Sequence, residues 1–330
     1  MRRAVLATFL AATVAFPATP PSGGLRPTNV QDFLLNKRKP RWYNEIWSWQ
    51  FLFDNGTQAT LNYTYARLGF KDPVCGADFS VAGFKGRNFA VGREYPAERF
   101  EQVASPARIQ IHPDMWAQGM PPASHHVHFA TTKNEGYFLD LEFSNMVPGV
   151  AWGANGTWAT NGGDLSVLLL IPSARVKGRI AVGRDTLHVE GWAVLEHNRQ
   201  TELVADILTQ SMRGYQAGDK PSYVNVFKEK KGGWNGFGIQ WTEAGPQLFA
   251  TGRLGIEDGG KLPPPGFAVV TTDQRTLGFR RASIAQSGSI LDGMEGVTRW
   301  VVKQFVGDVN IQRGKLDKPN SFYQFTQVRN

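Results

Sequence analysis

The chain has 330 residues, of which 42% are hydrophobic and 19% are charged. These proportions exclude a disordered or collagen-like chain and allow a buried core, and the length suggests about two domains. The 36 glycines and 19 prolines are typical of many short strands joined by turns. The formal net charge is +8, but no nucleic-acid-binding motif accompanies the basic residues, so we expect no nucleic-acid partner.

Residues 1–19 have the features of a secretory signal peptide. Arg2 and Arg3 precede the apolar run Ala4–Phe16, which is too short to span a bilayer and suits the hydrophobic region of a signal. An uncleaved N-terminal anchor is the alternative. No later apolar run is long enough to span a membrane, so we expect a secreted or periplasmic protein whose mature chain has no transmembrane segment.

The cysteine content limits the chemistry of the chain. Cys75 is the one cysteine, which excludes an intrachain disulfide and a cysteine-cluster metal site. Neither a metalloprotease HExxH motif, a phosphate-binding loop, a dinucleotide fingerprint nor a serine nucleophile elbow occurs. We therefore predict no cofactor and no metal.

The strand Trp42–Phe53 and the following Asn55-Gly56 predict a β-hairpin with a two-residue turn, which pairs Asp54 with Thr57. In that register one face sets aromatic rings and a carboxylate opposite hydroxyl and amide groups. Ligand cavities are lined in this way, with apolar walls and a few polar groups. A sandwich with both faces buried is the alternative. The predicted ligand-binding residues of this hairpin are Tyr43, Glu45, Trp47, Trp49, Phe51 and Asn62.

A second hairpin is predicted from the alternating segments on either side of Gly136, with Lys133 opposite Tyr137. This register places His128 opposite Glu142. One face then carries two imidazoles and two carboxylates, a set that can ligate a metal. We favour the alternative, a cross-strand pair of histidine and carboxylate on a solvated face. The four residues of this face are His126, His128, Asp140 and Glu142.

The stretch 144–164 is rich in Gly and Asn and predicts a junction between two blocks of strands. We expect a polar lead-in at 20–40, an N-terminal domain at 41–164 and a C-terminal domain at 165–330. Strand and turn patterns continue through both blocks. The predicted fold is therefore all-β and antiparallel, of barrel or sandwich type, with few short helices.

The strand that ends at His197 alternates between an apolar and a mixed face. Leu195 and His197 share the apolar face, while Trp192 and Glu196 lie on the other. A histidine at the end of an inward apolar row is a candidate acid–base group, and a core histidine bonded to a neighbour is the alternative. We expect His197 to be buried, with a partner among Asn198, Gln200 and Glu45, and we add Trp192 to the predicted ligand-binding residues.

Several short motifs occur in a fixed order along residues 40–330. They are Trp42-Tyr43-Asn44-Glu45, Gly136-Tyr137, Pro172-x-Ala174-x-Val176-x-Gly178 and Gly191-x-Ala193-x-x-x-His197-Asn198. In this order they resemble the tandem lipocalin-like superfamily, which includes carotenoid 1,2-hydratases, AttH-like bacterial proteins, fungal survival-factor proteins and some fungal pericyclases. The resemblance implies two packed lipocalin-like β-domains with an apolar pocket.

The resemblance also implies catalytic residues. The hydratases carry an Asp-His-Asn-Trp run where this chain has Glu196, His197, Asn198 and Arg199. His197 and Asn198 match, Glu196 is a conservative variant, and Arg199 departs from the pattern. The resemblance thus implies His197, Glu196 and Asn198 as catalytic residues.

Two functions fit these observations. The first is a secreted or periplasmic carrier that binds a hydrophobic, lipid-like or isoprenoid small molecule, and the secretion signal favours it. The second is a cofactor-independent hydratase (a hydro-lyase) or cyclase, in which His197 or Glu196 protonates an alkene or polarises a carbonyl. Aromatic rings would then stabilise the developing positive charge.

Overall fold

The structure is a computed structural model. It describes residues 24–36, 40–69, 72–152, 157–160, 162–250, 252–257, 262–271, 273–289 and 308–329. The signal peptide predicted at 1–19 lies outside these residues and stays a prediction, as does the secreted or periplasmic location. Within the ranges described, no helix has both the length and the apolar character that a membrane crossing requires.

In the described residues, the first half of the chain forms fourteen strands, one short α-helix and one turn of 3₁₀ helix at Ala97–Arg99. The helix is α1 (Val30–Phe33). The strands are β1 (Leu25–Pro27), β2 (Trp42–Phe53), β3 (Gln58–Leu68), β4 (Val74–Phe84), β5 (Arg87–Pro96), β6 (Glu101–Ala104), β7 (Ala107–His112), β8 (Met115–Gln118), β9 (His126–Thr131), β10 (Tyr137–Ser144), β11 (Val150–Trp152), β12 (Thr157–Thr160), β13 (Gly163–Val182) and β14 (Asp185–Gln200).

The part of the second half that the structure describes forms a second short helix, α2 (Val204–Ile207), and nine strands. These strands are β15 (Leu208–Gln216), β16 (Ser222–Glu229), β17 (Trp234–Thr242), β18 (Gly245–Phe249), β19 (Gly252–Ile256), β20 (Gly266–Thr271), β21 (Thr276–Ser289), β22 (Asp308–Leu316) and β23 (Ser321–Arg329).

The strands form two antiparallel sheets, which confirms the predicted all-β fold with few short helices. The main path of the first sheet runs β5-β4-β3-β2-β14-β13-β10-β9-β8-β7-β6, and β1, β11 and β12 join it at the side. The second sheet runs β18-β17-β16-β15-β23-β22-β21-β20-β19. Each sheet encloses its own apolar core, because inward positions alternate with outward ones along the strands.

The chain divides into two compact units. The N-terminal unit comprises Gly23–Leu203 with Ala217–Asp219, and the C-terminal unit comprises Val204–Gln216 with Lys220–Asn330. The domain division that we expect after residue 164 stays a prediction. The strand β13 begins at that junction and pairs along its length with β14, which in turn pairs with β2 of the first sheet.

The turn of the first hairpin is longer than predicted. The Phe53 N–H donates to the Thr57 carbonyl at 2.9 Å, and the Gly56 N–H donates to the Phe53 carbonyl at 2.9 Å. The turn therefore contains three residues, with Gly56 in the left-handed region at φ +87°. The two-residue turn that pairs Asp54 with Thr57 is wrong, because Gly56 supplies a bulge rather than half of a tight turn.

Because the turn has one additional residue, each residue of β2 lies opposite a residue of β3 that is one position away from its predicted partner. Trp49 lies opposite Leu61, and Asn62 lies opposite Ser48 on the other face of the sheet. The inward row from Glu45 to Phe51 therefore lies opposite apolar and tyrosine side chains instead of hydroxyls and an amide. This corrects the predicted position of Asn62, because a shift of one residue reverses the face of a strand.

The second hairpin has the predicted faces in a different register. His128 lies opposite Asp140, and His126 lies opposite Glu142. The pairing differs from the predicted one by two residues. A shift of two keeps each side chain on its own face, so these four residues still share one side of the sheet.

Replacement of Gly56 tests the three-residue turn. Gly56→Ala should lower the free energy of unfolding by about 1–2 kcal/mol, because an L-residue is strained at positive φ. No atom lies within 4 Å of the added Cβ, so the loss comes from the backbone alone. Urea denaturation measures it. Gly24→Ala is the control, since it also adds a Cβ in open space but without a positive φ. Equal losses in the two variants would contradict the turn assignment.

Candidate functional site

Two adjacent strands bring the polar residues of the candidate site together. In the pairing of β2 with β14, Trp47 lies opposite His197 and Glu45 lies opposite Arg199. Directly opposite residues of an antiparallel pair point to the same face, here the inward face of the N-terminal unit. Glu45, Trp47 and His197 have no exposed surface, and Arg199 is 7% exposed. The predicted burial of His197 is confirmed.

The Glu45 carboxylate is surrounded by donors. Its Oε1 accepts hydrogen bonds from the Tyr43 hydroxyl and, at 2.7 Å, from the main-chain N–H of Asn36. Its Oε2 accepts one from Arg199 Nε at 3.3 Å and lies 2.8 Å from His197 Nε2. A buried carboxylate is tolerated only when it is paired in this way. Glu45, one of the three expected candidates, is thus the neighbour of His197.

His197 is held by its other ring nitrogen. Nδ1 lies 2.6 Å from the main-chain carbonyl of Asp32, which can only accept, so Nδ1 carries a proton. The contact of Nε2 with Glu45 is short but lacks the alignment of a full hydrogen bond. Burial lowers the pKa of His197, although Glu45 opposes this effect. The proton on Nδ1 leaves Nε2 as the ring atom that faces the Glu45 carboxylate.

The indole of Trp47 forms the wall beside this imidazole. The two rings stack with their centroids 4.3 Å apart and their planes 18° apart. Trp47 Nε1 donates to the main-chain carbonyl of Phe33 at 2.7 Å. A ring stacked on an imidazole stabilises the positive charge that appears when the imidazole is protonated.

A short segment, residues 24–36, which we call the strap, contributes main-chain groups to the site. The strap contains β1 and α1, and its carbonyls and one N–H bind the side chains described above. Arg199 also donates to the Gln31 carbonyl at 3.3 Å. The last carbonyls of a helix have no partners within it, so side chains of β2 and β14 complete the end of α1.

Sequence reasoning missed a second buried histidine. His125 accepts a hydrogen bond from Trp49 Nε1 at 3.0 Å, and its Nδ1 lies 3.1 Å from the Gly119 carbonyl. Burial lowers the pKa of His125 from 6.5 to about 4. The signal was present, because His125 shares the alternating apolar row of Val127 and Phe129. The argument that selected His197 would have selected it too.

Glu196 and Asn198 do not join His197. They lie on the opposite face of β14, as period two requires, where they are 1% and 4% exposed. Asn198 Nδ2 donates to Glu196 Oε2 at 3.1 Å. The three residues that the resemblance marked as catalytic are thus neighbours in sequence that point to two sides of the sheet.

The predicted ligand-binding residues also divide between the two faces. Asn62 lies on the outward face of β3, and Trp192 lies on that of β14, with the Arg175 guanidinium 5.0 Å from its ring centroid. Neither residue therefore belongs to the aromatic row on the inward face. The members that do share the inward face, all of them buried, are Tyr43, Glu45, Trp47, Trp49 and Phe51.

The outer face of the second hairpin carries the predicted cluster of histidines. His126 Nε2 lies 2.6 Å from one oxygen of Asp140, and His128 Nδ1 lies 3.1 Å from the other. These contacts hold the pKa of Asp140 below its ordinary value, against the opposing effect of partial burial. Within the part of the chain that the structure describes, no group of three or more such side chains is placed to hold a metal ion.

Comparisons by sequence identify no relative of this chain, since no family model and no curated protein matches it. Solved structures do match. An AttH protein from Nitrosomonas europaea is 11% identical with a TM-score of 0.60, over 94% of this chain and 99% of that one. The structure of CghA with Sch210972 is 9% identical with a TM-score of 0.62, over 93% and 98%.

A third structure, kievitone hydratase from Nectria haematococca, is 11% identical with a TM-score of 0.49, over 96% and 98% of the two chains. That score is too low to support an argument. The first two matches show that the chain has the same lipocalin-like fold, as the motifs implied. At these identities they show the fold alone.

The buried His125 predicts a pH dependence of stability. Its pKa falls from 6.5 to about 4 on folding, so its contribution is complete above pH 6.5 and is lost as the pH falls towards 4. The loss amounts to about 3 kcal/mol. Urea unfolding of the wild type and His125→Gln, from pH 7 to pH 4, should show a shallower decline for the variant. His188→Gln, an exposed histidine on β14, should keep the wild-type decline. A wild-type decline in His125→Gln would contradict the assignment.

Proposed function

We propose that this chain is a cofactor-independent enzyme of the hydratase or cyclase type that acts on an apolar, isoprenoid-like substrate in the N-terminal unit. The observation that carries the proposal is the contact of Glu45 with His197, 2.8 Å apart and without exposed surface, beside the indole of Trp47. A carboxylate and an imidazole in a dry aromatic interior form the kind of pair that acid–base catalysis uses.

Each residue has a role in this proposal. In a hydration, the His197 imidazolium donates its Nε2 proton to one alkene carbon, a water adds to the cationic carbon that results, and Nε2 takes the surplus proton from that water. Glu45 stabilises the imidazolium before and after these steps. Arg199 and Tyr43 are positioning residues, since they hold the Glu45 carboxylate. Trp47 stabilises positive charge through its ring.

The shared fold supports a site for a small molecule. One of the two structures with this fold, CghA, is described with Sch210972. The proposal takes from this only that the fold can accommodate an organic compound. The tandem arrangement of two lipocalin-like domains remains a part of the proposal that rests on the motif resemblance.

A carrier for a hydrophobic molecule is the second candidate. One observation favours it, namely that the buried polar groups of the interior already bind each other or the main chain, as Glu45 and His125 do. A carrier needs no polar side chain that is left free to react with the bound molecule. Glu196 and Asn198 remain proposed site residues through the resemblance alone.

Conversion of an acyclic isoprenoid ketone tests the proposal. Purified protein incubated with geranylacetone should form a product heavier by one water, or an isomer with a new retention time, as measured by liquid chromatography and mass spectrometry. His197→Gln should reduce the rate by about 100-fold or more, since it removes the group that protonates the alkene. His188→Gln should convert geranylacetone at the wild-type rate.

Three results separate the alternatives. Retention of geranylacetone without conversion would favour the carrier. Undiminished conversion by a folded His197→Gln variant would contradict the role of this histidine. Loss of conversion in Glu196→Gln, with His197→Gln active, would move the chemistry to the opposite face of β14.

A further inference from the structure

The strap is fixed within the N-terminal unit mainly by polar contacts of its own. Asn29 and Asp32 form a capping box at the start of α1, in which Asn29 N–H donates to Asp32 Oδ2 at 2.8 Å. Arg26 binds both oxygens of Asp32, at 2.7 and 2.8 Å. The strand β1 adds a pairing of three residues with β11. The strap is thus a small closed element with few main-chain bonds to the sheet.

The main chain of the strap supplies acceptors to the candidate site. Three consecutive carbonyls accept hydrogen bonds from site side chains: Gln31 from Arg199, Asp32 from His197 and Phe33 from Trp47. In these contacts Arg199, His197 and Trp47 act only as hydrogen-bond donors. Buried donors require an acceptor, so any molecule that replaces the strap must also bring acceptor oxygens.

The side chains of the strap fill the apolar part of the same region. Phe33 has no exposed surface, and Leu34 and Leu35 are each 6% exposed within the core of the N-terminal unit. The ring of Phe33 packs edge-on against His125 with centroids 5.8 Å apart. The strap therefore combines an apolar body with a row of carbonyl oxygens, and both are directed into the aromatic interior.

We infer that the strap occupies the place of the substrate, and that the substrate is an apolar molecule with a carbonyl head group, which displaces residues 31–36. This inference rests on the proposed function and narrows its substrate class. A pure hydrocarbon would leave the donors of Trp47, His197 and Arg199 without partners. A ketone or ester oxygen replaces a strap carbonyl on the same donors.

Hydrogen exchange of the strap amides tests the displacement. The probes are menthone and the hydrocarbon p-menthane, which share a ring skeleton and differ by the carbonyl oxygen. Saturating menthone should raise the exchange of the Leu35 and Asn36 amides at least tenfold, because these donate to Gln102 and Glu45 while the strap is in place. The same concentration of p-menthane should leave the exchange rates of these amides unchanged.

Variants of the strap and the site sharpen the test. Arg26→Ala loosens the strap without changing a site side chain and should tighten menthone binding by about 3- to 10-fold, since the competing strap is weakened. Lys85→Ala removes an exposed ion pair with Asp185 in the same unit and should leave binding unchanged. Trp47→Phe keeps an aromatic ring but removes the indole N–H donor. It should therefore lower the ratio of menthone affinity to p-menthane affinity.

This test is independent of the catalytic proposal, because menthone binding and amide exchange are measured without conversion of any substrate. Slow exchange of the strap amides at saturating menthone, or equal effects of the two probes, would overturn the inference. Unchanged menthone affinity in Arg26→Ala would overturn it as well. If menthone opens the strap and geranylacetone is never converted, the catalytic proposal fails while the displacement stands.

Discussion

The buried Glu45 carboxylate is the constraint on which the rest of the site depends. A charge without exposed surface is strongly destabilising unless donors surround it, and removal of one partner from such a group typically costs about 3–5 kcal/mol. Here the donors come from three parts of the chain: Tyr43 on β2 itself, Arg199 on β14, and Asn36 of the strap. Satisfying one carboxylate thus fixes the register of two strands and the place where the strap crosses them.

The same constraint explains why the interior of the N-terminal unit is chemically unlike an ordinary core. Two buried histidines stand against two indoles: His197 stacks on Trp47, and His125 accepts from Trp49. Burial lowers the pKa of both imidazoles, so acid weakens this unit from within. All six histidines of the sequence precede residue 203, so buried imidazoles are a property of the N-terminal unit.

Period two is the reason that much of this could be predicted from the sequence. Alternation alone placed His197 inward and Glu196 outward, and it would have found His125. Turn length is harder to predict, since Asn55-Gly56 suits both a two-residue turn and a bulged one of three. That single residue reversed the face of Asn62. The start of β13 was missed for a related reason, because this strand begins inside a stretch that resembles a linker.

The contribution of the strap was beyond sequence reasoning because it is made by main-chain atoms. Every residue but proline has an N–H, and every residue has a carbonyl, so no side-chain pattern marks Asp32 or Phe33 as the acceptor for a histidine or an indole. The sequence does show the side-chain donor of each contact. His197, Arg199 and Trp47 are donors on an inward face where an apolar core needs none. Inward donors without inward acceptors in the same sheet predict that acceptors arrive from elsewhere, either from another segment or from a ligand. In this protein the strap provides them, and a carbonyl-bearing ligand would meet the same requirement.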